Sequence, residues 1–257
     1  MIRIHITGAP RSGTTLMQAL MAASYSRITA PTGEVRLWST VPKDGIVCTK
    51  NPNDTLLAPM LLNMDKSLHF ICMMRDPRDV ISSKHYSAPD KYFTNLRVWR
   101  EHAAIARALG NHPRFHVVRY EDLVTSPDEV QSRLGKAMGF LVRSAKFSDY
   151  SGETSDAQVE TDALNGPRAV EASRLENWKE HIGRVKHQIK IHGSIDTELI
   201  DFSYEKNTAW LEELTFVESD PTPSLTPEKL NPFKAASRAV NRWLHVGAYI
   251  RRRAFGF

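Results

Sequence analysis

An apolar run of the kind that becomes a buried strand, "IRIHIT" at residues 2–7, passes directly into "GAPRSGTT" and then into the helical pattern "LMQALMAA". This order of strand, glycine-bearing loop and helix constrains the chain more than any other feature. It sets the unpaired amides and the positive dipole end of a first helix at the carboxyl end of a strand, where an anion is received. Gly13 lets the backbone approach that anion, Arg11 adds a charge, and Ser12, Thr14 and Thr15 add hydroxyl donors. A nucleoside triphosphate loop reads G-x-x-x-x-G-K-[ST], with its lysine on the outer phosphates. Here Thr14 stands at the lysine position, and the basic residue comes earlier, at Arg11. The loop has the context of a phosphate cradle without the means of the usual triphosphate chemistry.

Further apolar runs at residues 45–49, 67–74 and 115–120 read as buried strands, and helix-length segments separate the later ones. The alternation predicts an α/β fold of three αβα layers around a central parallel sheet. Asp76 with Pro77 behind it, and Ser126 with Pro127 and Glu129, read as helix starts, the second as a capping box. Both follow predicted strands, so ligands are expected at the carboxyl edge of the sheet. Beyond residue 150 the pattern weakens. Residues 151–167 read as a polar loop, a helical stretch surrounds 173–191, and prolines at 221, 223, 227 and 232 suggest an extended linker. The expected organisation is a domain over 1–218, a linker over 219–232 and a basic amphipathic helix over 233–257.

Composition excludes several classes. Cys48 and Cys72 sit in or beside apolar runs with no ligand-spaced partner, so two reduced core thiols are expected, with no disulfide and no metal. No signal peptide and no membrane span is recognisable, and the expected location is the cytoplasm. The net charge of +5 is concentrated: six Lys or Arg and no acid lie in 232–257, which leaves the remainder at −1. A near-neutral body argues against nucleic acid as partner.

The loop "GAPRSGTTLM" resembles the 5′-phosphosulfate loop of sulfotransferases, enzymes that use 3′-phosphoadenosine 5′-phosphosulfate (PAPS) and release adenosine 3′,5′-bisphosphate. The resemblance implies that Arg11, Ser12, Gly13, Thr14 and Thr15 bind the 5′ end of the donor, without a metal. "MMRDPRDVISS" is similar to the family's 3′-phosphate motif, with Arg75 at a strand end and Ser83 expected two turns into the following helix. "VRYEDLVTSPDEV" is similar to the segment after the fourth strand, which implies a place for Tyr120 near the nucleotide, although a core tyrosine reads equally well.

Sulfuryl transfer needs cations where charge develops and a base for the acceptor hydroxyl. Arg11 is one cation and Lys50, in "VCTKNPN", is another at the end of the second strand. One branch of the family places a histidine two residues after this lysine, where this chain has Pro52. The resemblance then points to Glu34 in "TGEVRLW" as base and to Arg36 as a substrate contact, and His85, lying just after the helix expected to follow Arg75, is a second candidate base. As strings, "GAPRSGTTLM", "CTKNP" and the Glu34–Arg36 spacing are closest to the branch that sulfates protein tyrosines. Asn177, where that branch has lysine, departs from it. The acceptor stays open among tyrosine, sugar, lipid and small alcohol. The rival enzyme class is a P-loop kinase, which would need a lysine at Thr14 and Asp76 as magnesium ligand. The basic tail reads either as a terminal helix docked on the body with a solvated basic face or as a peripheral contact with anionic lipid or an acidic polymer, the first being preferred.

Overall fold

The computed structural model describes residues 1–85, 88–151 and 170–255. Most of the polar loop expected at 151–167 lies outside the described residues. The chain forms two compact units, one of Met1–Met74, His102–Ala172 and Asn231–Phe257, the other of Arg75–Glu101 and Ser173–Leu230. We call them the sheet unit and the insert unit.

Strands of the sheet unit are β1 (Ile2–Gly8), β2 (Tyr25–Ser26), β3 (Ile28–Thr29), β4 (Ile46–Lys50) and β5 (Leu68–Met74). The insert unit adds β6 (Lys84–His85) and β7 (Ala88–Tyr92), and the sheet unit resumes with β8 (Phe115–Arg119) and β9 (Val142–Arg143). Helices in chain order are α1 (Thr14–Ser24), α2 (Ala58–Met64), α3 (Pro77–Ile81), α4 (Leu96–Leu109), α5 (Tyr120–Thr125), α6 (Pro127–Ala137), α7 (Ile182–His192), α8 (Asp196–Asp201) and α9 (Pro232–Phe255).

The central sheet is parallel in the order β3-β4-β1-β5-β8 and is flanked by helices, as the sequence predicts. Its four long strands lie within a residue of the apolar runs that announced them. Strand β1 holds the middle, pairing with β4 on one side and β5 on the other, and the chain order reverses there. A reversal of this kind opens a crevice beyond the strand ends, and the loop after β1 stands at it.

Strand alternation gives β1 two different faces. Ile4 and Ile6 join the apolar core, while Arg3, His5 and Thr7 on the other face are equally buried and meet polar partners. Cys48 and Cys72 are buried and unpaired, and burial pushes both thiols up to about 12. Ser126 precedes α6 but makes no side-chain cap, so the expected capping box does not form. The strand β8 runs directly into α5, and α6 follows that short helix instead of the strand.

The insert unit has its own core of Ile81, Leu96, Trp178, Val185, Ile195, Leu199, Trp210 and Leu214. The segment expected as a linker is pinned here. Arg184, fully buried, donates to the carbonyls of Thr222 and Thr94, at 3.0 and 3.3 Å, and to the Ser224 hydroxyl. The Tyr92 amide donates to the Pro223 carbonyl and the Leu225 amide to the Tyr92 carbonyl, so the proline-rich stretch is bridged to the end of β7 at Ser224. Extended conformation was readable from the prolines; the partner was not.

Candidate functional site

Loop 8–13 is set by backbone geometry. Gly8 has φ 141°, and a Cβ there would lie 2.2 Å from the Met73 carbonyl oxygen, so only glycine fits between β1 and β5. Gly13 has φ 91°, and a Cβ would meet the Tyr120 ring at 2.6 Å. Arg11 adopts φ 72°, a left-handed conformation that costs a non-glycine residue about 1–3 kcal/mol and tends to mark functional loops. Ser12 closes the turn by donating its hydroxyl and its amide to the Ala9 carbonyl, at 2.6 and 3.1 Å. Helix α1 then begins at Thr14 with no acidic residue in its first turn, leaving the positive dipole end unneutralised by its own side chains.

Lys50 ends β4, level with Ile6 in β1. Its side chain is buried and its Nζ donates to the Thr15 hydroxyl at 3.1 Å, so the lysine reaches the first turn of α1. The next residue, Asn51, hangs from the Ile6 carbonyl by its amide and donates Nδ2 to Glu34 Oε2 at 3.2 Å. The Val35 amide donates to the Lys50 carbonyl at 2.8 Å. Glu34 is thereby held at the end of β4, exposed, beside the residue that follows Lys50. Of the residues singled out by sequence, the structure brings Thr15, Lys50 and Glu34 to one sheet edge and packs Tyr120 against Gly13. Arg36 turns elsewhere: its guanidinium lies 3.3 Å from Asp54 and 5.5 Å from the centre of the Trp38 ring.

A buried polar network behind this edge was not foreseen. Arg3 donates from Nε to the Thr49 hydroxyl at 3.1 Å and to the carbonyls of Leu37 and Arg36 at 2.6 and 3.1 Å. His5 Nδ1 lies 2.8 Å from the Thr49 hydroxyl and its Nε2 lies 3.2 Å from Asp54. Burial pushes the His5 pKa down, against the pull of the neighbouring Asp54. At Asp54 burial works to raise the pKa, but His5, the Leu37 amide at 2.9 Å and the Arg36 charge outweigh it and hold the group below the usual range. The result fixes residues 35–37 against β4 and hence aims Glu34. The only sequence trace of this network is the alternation of isoleucines with Arg3, His5 and Thr7 in β1.

In the insert unit, the segment likened to the 3′-phosphate motif is a charge network. Arg75 follows β5 directly and its guanidinium is 3.2 Å from Asp79. Asp76 caps α3 by accepting the Arg78 amide at 2.8 Å and pairs with the Arg78 guanidinium at 2.7 Å. Arg78 also lies 2.7 Å from Glu205 and 4.2 Å from the centre of Trp178. Burial, with the Asp76 charge adding to it and Arg75 opposing, raises the Asp79 pKa. Helix α3 stops at Ile81, so Ser83 does not lie two turns inside a helix as expected; it sits beyond the end, its carbonyl taken by the Phe93 amide at 2.8 Å. The side chain of His85 lies outside the described residues. Trp178, next to Asn177, is buried in the insert core. Among the described residues, no group of three or more His, Cys, Asp or Glu is arranged to hold a metal.

Residues 37–142 match the model of the sulfotransferase family. Over that segment the chain is similar to sulfotransferases. Lys50, Arg75, Ser83 and Tyr120 fall inside the matched segment, and the loop with Glu34 and Arg36 precedes it. No curated protein sequence matches the chain. Among solved structures, the sulfotransferase domain of the Synechococcus PCC 7002 olefin synthase is similar at a TM-score of 0.50 and 16% identity, over 69% of this chain and 86% of that one. The sulfotransferase domain from the curacin biosynthetic pathway gives 0.47 and 17%, over 69% and 90%. Mouse sulfotransferase SULT7A1 complexed with PAP gives 0.47 and 12%, over 84% and 86%.

Proposed function

We propose that the protein transfers a sulfuryl group from PAPS to a hydroxyl acceptor, with loop 8–15, Lys50 and Glu34 as the working parts. The observation behind this reading is the sheet edge itself, where the buried Lys50 ammonium is hydrogen-bonded to the first turn of α1 and Glu34 is tethered to the adjacent Asn51. The donor supplies a sulfuryl group on a phosphate leaving group, and both call for donors at the end of β1. Gly13 and the amides of the first turn of α1 suit the 5′-phosphate, Ser12, Thr14 and Thr15 add hydroxyls, and Arg11 adds a cation.

Lys50 and Arg11 offset the negative charge that builds on the departing phosphate oxygen, a role worth about 10²–10³ in rate for a single well-placed donor. Glu34 accepts the proton of the acceptor hydroxyl. The Asn51 amide orients its carboxylate without supplying a competing charge, and Arg36, held by Asp54, stands two residues from the base as an acceptor contact. The insert unit is proposed to hold the 3′-phosphate through Arg75, whose guanidinium can fork to an anion, with Ser83 as an additional donor. Under this reading Asp79 keeps Arg75 oriented until the phosphate arrives.

A kinase reading has less behind it: Thr14 stands where its lysine would be, and the Asp76 carboxylate serves as cap and ion-pair partner to Arg78. The test is incubation with 35S-labelled PAPS and a panel comprising a tyrosine peptide, a phenol, an oligosaccharide and a sterol. Label on one of these hydroxyls, lost in Glu34→Gln with bisphosphate affinity retained, is the expected result. No transfer to any member, together with phosphate transfer from ATP and magnesium, would overturn it.

A further inference from the structure

The C-terminal helix α9 docks in the reverse of the usual sense. Its contacts with the sheet unit use the side carrying Arg238, Arg242, Val246, Tyr249 and Arg253, which span about 80° of the helix circumference at ~100° per residue. Val246 and Tyr249 are buried, and the Tyr249 hydroxyl and Arg253, the latter at 2.9 Å, both donate to Asp65. His245 stacks on Trp38 with ring centres 3.7 Å apart. A basic face turned to solvent was the sequence expectation; two of its cations, Arg238 and Arg242, are instead half-buried.

What faces outward is apolar. Phe233, Val240, Trp243 and Leu244 are 83%, 59%, 63% and 63% exposed. With Ala236 and Gly247 they lie within about a 100° arc on the side opposite the docked face. Four large apolar side chains in one stripe along a helix go beyond the scattered surface hydrophobics of a soluble protein and mark an interaction surface. Charge identifies the occupant. The helix contains no Asp or Glu; Lys234 near one end is exposed, and Arg251 near the other is exposed within the arc of the stripe, while Arg252 turns to the body and donates to the Thr40 hydroxyl at 2.6 Å. Cations at the ends of an apolar stripe containing a tryptophan suit a surface that is apolar below and anionic above. No described helix is long and apolar enough to cross a membrane.

We propose that α9 is a peripheral membrane-binding helix that lays its stripe of Phe233, Val240, Trp243 and Leu244 into the surface of an anionic bilayer. This places the protein at the membrane independently of the reaction assigned to the sheet edge. The experiment is flotation of the full chain with vesicles of phosphatidylcholine alone and of phosphatidylcholine with about a third phosphatidylserine, a content that attracts each basic side chain. Binding should be at least tenfold stronger to the anionic vesicles and should weaken with salt. W243S/L244S should lower partition by roughly 10–100-fold and K234Q/R251Q by several-fold, with thermal unfolding unchanged, since none of the four is in the core. Failure to float with anionic vesicles, or binding unaffected by W243S/L244S, would overturn the proposal. So would a dimer in sedimentation, lost in W243S/L244S without any vesicle binding, which would make a second copy the occupant. Retention on heparin that W243S/L244S leaves intact, without flotation, would point to an acidic polymer and against the bilayer.

Discussion

The two segments proposed to bind the donor's anions are made by different means. The loop of the sheet unit is a matter of conformation: left-handed residues at 11 and 13, two glycines that admit no Cβ, and helix amides aimed by α1. The Arg75–Ser83 segment of the insert unit is a matter of charge, with Arg75 on Asp79 and Arg78 between Asp76 and Glu205. A conformational cradle is ruined by a methyl group and indifferent to a conservative polar exchange. A charge network tolerates changes of shape but answers to the loss of one fork.

Chemistry sets the largest expected effect. Glu34→Gln should lower kcat by ~10²–10⁴-fold, the range for a general base, while the affinity for adenosine 3′,5′-bisphosphate stays within about twofold. Equal losses in kcat and affinity would move Glu34 from chemistry to binding. Gly13→Ala comes next, because the new methyl meets the Tyr120 ring and adopts a disfavoured φ. Titration calorimetry should show affinity falling ~100-fold or more, and Tyr120→Ala in the same chain should restore part of it by opening space. Substituting the charge network should be milder: Arg75→Ala is expected to weaken bisphosphate binding ~10–100-fold, from the loss of a charged hydrogen bond of about 1.5–3 kcal/mol. Arg75→Lys should recover part of the charge but not the fork. If Arg75→Ala cost more than Gly13→Ala, the contrast between the two motifs would be reversed.

The smallest effect concerns stability and pH. His102, buried beside the Thr55 hydroxyl at 2.8 Å, has its pKa lowered to about 3, by burial first and by the Arg238 charge second. A histidine with a folded pKa below its unfolded value stabilises fully above about pH 6.5 and loses that contribution as pH falls toward the folded value. Acidification from pH 7 to 5 should therefore cost about 2 kcal/mol from this group. Urea denaturation of His102→Gln should show a correspondingly flatter pH dependence over that interval.

Much of this was legible in the sequence for a physical reason. Strand, loop and first helix are consecutive, and Gly8, Arg11, Gly13 and the three hydroxyls act through the backbone they interrupt. The same locality made Asp76 and Pro77 readable as a helix start. The resemblance brought in Glu34 and Lys50, and the structure supplies the tether between them, Asn51. What escaped is non-local. The path from Arg3 through Thr49 and His5 to Asp54 joins residues more than forty positions apart, and polar residues alternating with isoleucine read as an amphipathic strand whether their partner is water or a buried aspartate. Arg184 is similar: a helix arginine looks solvated until three carbonyls and a hydroxyl surround it. The end of α3 was missed because two serines are compatible with continuing a helix, and the turn to β6 prevailed.

Loop 8–15 and Arg75 are proposed to bind a nucleotide bearing a 3′-phosphate and a 5′-phosphosulfate. Thermal unfolding with adenosine 3′,5′-bisphosphate, set against ADP with magnesium, tests this most directly. At ~100 times its dissociation constant a ligand adds ~2.7 kcal/mol to the folded state, and at ~2–4 °C per kcal/mol for a chain of this size the shift is plain. The unfolding temperature should rise with the bisphosphate alone, less in Arg75→Ala and not at all in Gly13→Ala. A rise with ADP and magnesium and none with the bisphosphate would contradict the proposal.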